Sequence, residues 1–227
     1  MNVILIFGGT GQAGRRVVEA AAKAENTKVV IFVRSPEKVD ADMKDKVEIV
    51  KGDLLDETAV ATAIKSAKPT AIIVASSLPF GSKIVDLNKI FVPYALKALK
   101  EDGRLKDCKL IYLGGGFSVG KGEQLSFGMR ILGTVVGSLL RFSAKTADNN
   151  NTFAFIQDYA ESDPELNYTL VRLAQVSEGA SKGKLTHLFG TGLGDAVTFT
   201  DAGTYLVELA LDNSTVRNKV VALQYVK

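Results

Sequence analysis

The sequence predicts an α/β fold built on a parallel sheet with helices on both faces, and three observations carry that reading. Short β-branched runs alternate with longer stretches of helical periodicity, as in successive βαβ units. Runs such as Ala71-Ile72-Ile73-Val74 are apolar at every position, which suits a strand covered on both sides. The apolar run Val3-Ile4-Leu5-Ile6 leads straight into the glycine turn Phe7-Gly8-Gly9-Thr10-Gly11-Gln12-Ala13-Gly14-Arg15, with a helix-like stretch behind it. Together these specify a Rossmann-type doubly wound parallel sheet.

The predicted strands, in order, are Val3–Phe7, Val29–Val33, Val47–Val50, Ala71–Ala75, Lys109–Leu113, Thr169–Arg172 and Val220–Leu223. Helices fill the intervals. Ala13–Ala24 follows the glycine turn, and Asp56 can cap a helix running through Ser66. Lys83–Lys100 places Ile84, Leu87, Phe91 and Ala95 on one apolar face, with Pro93 expected to kink or split it. Ser35-Pro36-Glu37-Lys38 sets a cap before a proline at the first helical position, so a short helix follows the second strand. Asp102-Gly103 and Asn213-Ser214 read as helix exits. Residues 114–151, rich in Gly, Ser and Phe, break the alternation where the carboxyl ends of the central strands open.

Composition excludes several classes. A chain of 227 residues, 46% hydrophobic and 23% charged, buries one substantial core rather than staying disordered. Its net charge of +3 is far from the clustered excess of a duplex-binding surface, so no nucleic-acid partner is expected. The lone Cys108 leaves no intramolecular disulfide and no paired-cysteine zinc site, and it reads as a small apolar residue leading into a strand. His187 is the sole histidine, too few for a multi-histidine zinc site, and surface or packing is its expected role. Ile131–Leu140, bracketed by Arg130 and Arg141, is too short to span a bilayer as a helix. The lone cysteine suits a reducing compartment and the first strand begins two residues after Met1, leaving no room for a signal peptide, so a cytoplasmic protein is expected, with no metal and no membrane partner. The expected assembly is a monomer or a homodimer.

Gly8, Gly11 and Gly14 recur at a three-residue spacing that turns the backbone sharply, admits phosphate oxygens to the amides and packs helix on strand. The helix behind offers unpaired N–H groups to an anion, so this is where a dinucleotide pyrophosphate would sit, touching Gly8, Thr10, Gly11, Gln12 and Ala13. The second strand ends Phe32-Val33-Arg34-Ser35, with no carboxylate where the ribose hydroxyls of NAD would want one. Arg34 can fork two N–H groups onto the extra phosphate of NADP, with Arg15 beside the glycines and Lys38 a turn away. NADP(H) is therefore expected over NAD(H); the competing role for Arg34 is a solvated strand-end charge.

The glycine turn, Val33-Arg34-Ser35-Pro36-Glu37-Lys38, Gly52-Asp53-Leu54-Leu55-Asp56, Asn167-Tyr168-Thr169-Leu170-Val171-Arg172 and Phe199-Thr200-Asp201-Ala202-Gly203 resemble an atypical short-chain dehydrogenase. The likeness is strongest to the NmrA-like and biliverdin/flavin-reductase-like branch of NAD(P)H-binding proteins and covers nearly the whole chain. It implies one NAD(P)-binding domain over 1–227, with residues 114–195 supplying much of the substrate side. By the same resemblance Asp53 and Leu54 border the adenine, although Asp53 is also a natural turn cap. Ala75, Ser76 and Ser77 pass under the ribose and nicotinamide, unless the serines serve only the turn before Pro79. Leu113 and Gly114, ending the fifth strand, complete the implied cofactor contacts.

Departures from the family pattern bear on the chemistry. Active members of the main family place a lysine four residues after a tyrosine, lowering the phenol pKa so that it protonates the forming alkoxide. Here Tyr94 is followed by Ala98, Tyr112 by Gly116, Tyr159 by Asp163, Tyr168 by Arg172 and Tyr205 by Leu209. Asn149-Asn150-Asn151 stands about where relatives carry the lysine, and Val171-Arg172-Leu173-Ala174 replaces Val-Arg-Pro. A positioned acid is worth roughly a hundredfold or more in reducing an isolated ketone. Flavins, quinones and extended conjugated acceptors delocalise the charge they receive and take a proton from solvent, so orientation by the protein can suffice.

The expected function is thus an NADP(H)-dependent oxidoreductase acting on a small conjugated, quinone-like or flavin-like molecule. A substrate wall is drawn from Leu78, Pro79, Phe80, Phe117, Phe153 and Gln175, each competing with a core role. Ser118, Lys121 and Tyr159 are the nearest candidate donors, and no catalytic residue is assigned. The alternatives are an NADP(H)-sensing regulatory or interaction protein without chemistry, and an isomerase or dehydratase with tightly held cofactor.

Overall fold

The computed structural model describes residues 1–78, 86–124, 131, 143–190, 192–212 and 216–227. Its elements are β1 (Asn2–Phe7), α1 (Gln12–Ala21), β2 (Thr27–Val33), β3 (Glu48–Lys51), α2 (Glu57–Ala67), β4 (Ala71–Val74), α3 (Leu87–Glu101), β5 (Lys109–Gly115), α4 (Ser143–Ser162), β6 (Asn167–Leu173), β7 (Gln175–Ser177), β8 (Leu185–Phe189), β9 (Ala196–Thr198), α5 (Phe199–Leu211) and β10 (Lys219–Tyr225). Eight strands form one sheet in the order β3-β2-β1-β4-β5-β6-β10-β8, while β7 and β9 pair separately. All pairings are parallel except that of β8 on β10, the antiparallel edge.

The continuous apolar runs are explained by the two cores. Ile4, Ile6, Ile31, Ile73, Ile111 and Val171 face α1 and α5, while Leu5, Phe7, Phe32, Ile72, Leu110 and Leu170 face the side covered by α2, α3 and α4. Each strand alternates its side chains between faces, so burial on both demands apolar residues throughout. The order reverses between β2 and β4 on either side of β1, and a crevice opens there beyond the carboxyl ends.

Local chemistry sets the helix ends. Asp56 caps α2 by accepting from the Ala59 amide at 3.0 Å, as its sequence position predicts. Thr198 caps α5, accepting from the Asp201 amide at 3.0 Å. Buried Lys109 closes the other end of α5, its ammonium donating to the carbonyls of Leu209 at 2.9 Å and Asp212 at 2.6 Å. Gly103 follows α3 with φ +68°, in agreement with the exit read from Asp102-Gly103.

Three expectations are corrected or fall elsewhere. Pro93 lies inside α3, which runs unsplit because Phe91, Val92, Ala95, Leu96 and Leu99 anchor it to the core on both sides of the proline. The strands β7, β8 and β9 escape the periodicity because they are short or at an edge, where burial does not enforce alternation; His187 lies in β8. The expected exit at Asn213-Ser214 and the helix start at Lys83 lie outside the described residues. Among the described residues no helix is long and apolar enough to cross a membrane.

Candidate functional site

A cleft of about 500 Å³ occupies the crevice at the reversal of strand order. It gathers Gly8, Thr10, Gly11, Gln12, Ala13, Arg34, Asp53, Leu54, Ala75, Ser76 and Ser77, eleven positions singled out by sequence and drawn from four separate stretches of chain. Among the described residues Phe32, Val33, Lys38, Gly52, Leu87, Lys145 and Phe199 also line it.

The turn between β1 and α1 is built on absent side chains. A Cβ on Gly8, whose φ is +88°, would lie 2.5 Å from the Ser76 nitrogen, so β1 and β4 end in direct backbone contact. On Gly14 it would lie 2.0 Å from the Gly8 carbonyl oxygen, which seats α1 directly on the turn. Gly11 is the N-cap of α1 and brings no side-chain acceptor, and the first turn contains no acid. The positive end of the helix and its first amides therefore face the cleft without an internal anion.

Arg34 and Lys38 supply positive charge beside the end of β2. Asp53 closes its own turn by accepting from the Leu55 amide at 2.9 Å and still lines the cleft, so the turn role and the cleft position coexist. A Cβ on Gly52 would fall 2.3 Å from the Phe32 ring, and this close approach lets the ring border the cleft. Arg15 turns aside: its Nε donates to the Thr10 carbonyl at 3.3 Å, and its guanidinium stands 3.9 Å from the Asp40 carboxylate.

On the far side of the turn, Ser76 donates from Oγ to Asn88 Oδ1 at 2.6 Å. Asn88 donates from Nδ2 to Asp148 Oδ2 at 3.0 Å, and Asp148 also accepts from the amides of Asn88 and Lys89. The Asp148 carboxylate, carried on α4, thus closes the amino end of α3, which Asp86 leaves without a side-chain cap. Burial raises the Asp148 carboxyl above its ordinary value, against the lowering effect of those amides.

Other expected positions are placed elsewhere. The Phe153 ring and Ser118 cover Gly114, where an added Cβ would meet the ring at 2.7 Å; Gly114 does not line the cleft and Phe153 is core rather than substrate wall. Leu113 packs against the core under α1 and α5, also away from the cleft. Leu78 is buried, Phe117 is half-buried, Gln175 is exposed on β7, and Pro79 and Phe80 lie outside the described residues. Lys121 is held at the surface by Asp158 and Glu161, both at 2.7 Å, Tyr159 packs beside Phe155, and Ser118 is buried under Gly114. Tyr112 is buried with its hydroxyl on Asn149 at 2.8 Å, and burial pushes its phenol far above the usual range. His187 meets the Tyr205 hydroxyl at 3.2 Å and stacks edge-on with Phe189, a packing role.

Lys145 was missed by sequence reasoning, which looked for a counterpart of the family lysine at Asn149-Asn150-Asn151. Those three asparagines are tethers, to Tyr112, the Val119 amide and Asp86, while Lys145 one turn earlier on α4 borders the cleft. Leu87 and Phe199 were also missed as cleft residues. Phe199 had a signal, since it opens the Phe199–Gly203 motif quoted above.

A family profile described as NAD(P)H-binding matches residues 8–213, nearly the whole chain. The chain belongs to that family. A search of curated protein sequences finds no match. Among solved structures, the chain is similar to the anaerobilin reductase ChuY of Escherichia coli O157:H7, at 20% identity and TM-score 0.73, covering 98% of this chain and 97% of that one. It is also similar to a putative NAD-dependent epimerase/dehydratase of Bacillus halodurans, at 17% identity and TM-score 0.71, covering 100% and 95%. A third similar structure is the oxidoreductase ylbE of Lactococcus lactis, at 16% identity and TM-score 0.72, covering 99% and 91%. At such identities the likeness is one of fold, and that fold is the Rossmann type expected.

The residues present fit the nicotinamide cofactor that the family binds. The uncapped amino end of α1 over Gly11 suits a pyrophosphate, and the absence of a Cβ at Gly8 and Gly14, where one would meet backbone, seats that helix end directly on the turn. Aromatic and apolar walls from Phe32, Val33 and Leu54 lie to one side, and small polar Ser76 and Ser77 to the other.

Proposed function

We propose that this protein is an NADP(H)-dependent oxidoreductase of atypical short-chain type, transferring hydride to or from a small conjugated, quinone-like or flavin-like molecule without a Tyr-x-x-x-Lys relay. The observation that carries the reading is the charge at the cleft. Arg34 and Lys38 flank the end of β2, where the 2′-phosphate of NADP would be met, beside a helix end that lacks its own anion. The bound cofactor supplies a hydride, and the chain supplies orientation and charge. The amides at Gln12 and Ala13 would hold the pyrophosphate, Arg34 the 2′-phosphate and Lys145 the nicotinamide-side ribose, while Asp53 and Leu54 would border the adenine.

No tyrosine stands among the described lining residues, and Tyr112, on the central strand β5, is buried and held neutral. That favours acceptors whose charge is delocalised and whose proton comes from water. The reductase among the similar folds supports the same class. In this proposal residues 1–227 act as one cofactor-binding domain and residues 114–195 form much of the substrate side.

The test is twofold. Dissociation constants for NADP+ and NAD+ on wild type and Arg34→Ala should show a preference for NADP+ that the substitution erases by roughly tenfold or more; an unchanged ratio refutes the assignment. NADPH should be oxidised on adding a panel of flavins, quinones and enones. Tight binding with no turnover for any acceptor would replace catalysis with the reading of a cofactor sensor.

A further inference from the structure

Resting on the cofactor reading, we infer that Asp148, through Asn88, fixes Ser76 as a hydrogen-bond acceptor toward the cleft, so that the ligand group seated on Ser76 must bring a hydrogen. Ser76, Asn88 and Asp148 are all buried, at 7%, 1% and 1% exposure, yet Ser76 borders the cleft. Their hydrogen bonds leave little freedom of polarity.

The argument starts at the carboxylate. Asp148 faces the backbone amides of Asn88 at 3.1 Å and Lys89 at 3.1 Å, groups that can only donate, so it stands there as an acceptor. The Asn88 side chain must then turn its NH2 toward Asp148, which it meets at 3.0 Å, and this leaves its carbonyl oxygen toward Ser76. A carbonyl cannot donate, so the 2.6 Å contact consumes the single Ser76 hydroxyl proton. The second Asn88 N–H, on the Ser76 carbonyl at 3.3 Å, locks the same orientation. What Ser76 offers to the cleft is therefore lone pairs alone.

Phosphate and carboxylate oxygens are repelled by such a group, whereas a hydroxyl or amide N–H is bound. Strand order gives the part of the ligand concerned. Arg34 lies just beyond β2 and Ser76 beyond β4, on opposite sides of the glycine turn of β1, so a dinucleotide with its pyrophosphate on the turn and its adenosine phosphate on Arg34 brings its nicotinamide half to Ser76. The donor is a hydroxyl of that ribose or the carboxamide NH2. Asp148 and Asn88 act as positioning residues, since neither lines the cleft.

The test is calorimetric binding of NADP+, of adenosine 2′,5′-bisphosphate and of the 3-acetylpyridine analogue of NADP+, whose acetyl group has no N–H. The variants are Ser76→Ala, Asp148→Asn and the double variant. An amide at 148 can donate to the Asn88 carbonyl, which lets the Asn88 side chain reverse and makes Ser76 an acceptor of its NH2. Each single variant should weaken NADP+ about tenfold, the double variant no more than the weaker single, and the bisphosphate, which lacks the nicotinamide half, should bind unchanged. A Ser76→Ala penalty that persists with the acetylpyridine analogue identifies the ribose hydroxyl; one that vanishes identifies the carboxamide. The inference is overturned if Asp148→Asn weakens bisphosphate and NADP+ equally, as a merely structural role would. It is also overturned if Ser76→Ala binds NADP+ within twofold of wild type, a result that stands even should Asp148→Asn fail to fold. Failure of the cofactor reading itself looks different, because folded wild type would then bind none of the three.

Discussion

Replacing Gly14 by alanine should disable cofactor binding through a displacement that can be worked from the turn itself. The new Cβ would lie 2.0 Å from the Gly8 carbonyl oxygen, where ordinary contact begins at 3.4 Å, so α1 must retreat by about 1.4 Å. An amide at ~2.9 Å from a phosphate oxygen would then stand beyond ~4 Å, past hydrogen-bond range. Losing two charge-assisted bonds of ~1.5 kcal/mol or more costs about 3 kcal/mol, roughly a hundredfold in Kd. The retreat is opposed from behind, since Gly203 of α5 packs on the Arg16 backbone so closely that a Cβ there would lie at 2.6 Å. A stability loss of roughly 2 kcal/mol should accompany the loss of affinity. Calorimetry with NADP+, alongside a circular dichroism spectrum and urea unfolding, measures both. Gly103→Ala is the control: its φ of +68° makes alanine cost about 1 kcal/mol, but nothing lies within 4 Å and affinity should not change. Gly14→Ala that binds NADP+ within twofold of wild type would refute the account of the turn.

Three further outcomes follow from the structure. Lys109→Met keeps the buried stem but removes the ammonium from the carbonyls of Leu209 and Asp212, so urea unfolding should show a loss of roughly 2 kcal/mol; a loss below 0.5 kcal/mol would contradict its capping of α5. Burial pushes the Cys108 thiol up to about 12, so iodoacetamide at pH 8 should label the folded protein far more slowly than the urea-unfolded chain, and equal rates would show that β5 is not packed as described. Asp201 is buried, which alone would raise its carboxyl, but hydrogen bonds from Ser181, the Lys182 amide, Thr198 and Tyr225 together hold it below its ordinary value of 3.8. Its contribution is then present above that value and lost as pH falls through the lower folded one, so the stability gap between wild type and Asp201→Asn should narrow from pH 7 to pH 3. A gap that widens on acidification would reverse the sign.

The first half of the molecule was legible because its signals are local. Continuous apolar runs require cover on both faces, and a glycine triplet between strand and helix requires a tight turn, so the parallel sheet and the turn at Gly8–Gly14 follow without tertiary information. Arg34 was legible for the same reason, as the residue just beyond a recognisable strand. The positions after Gly114 were not. Gly114 stands at the end of a central strand, which suggests a ligand contact, yet the Phe153 ring occupies the space above it. Whether an aromatic residue on a distant helix fills that space or leaves it open depends on how α4 packs on β5, and no spacing records that.

Lys145 shows the same limit from the other side. The asparagines at 149–151 read as a departure from the family pattern and Lys145 goes unnoticed, because the sequence gives helical periodicity but not the rotation of the helix about its axis. Phe153 and Ile156, buried against the sheet, set that rotation and carry Lys145 to the cleft and Asp148 to the amino end of α3. The sequence alone determined the parallel strands, the glycine turn between β1 and α1 and the family, since each rests on neighbours in the chain. Only the tertiary structure decided which side of α4 meets the cleft and which way the Ser76 hydroxyl points, since both depend on contacts between residues far apart in the chain, such as Tyr112 with Phe153 and Asn88 with Asp148.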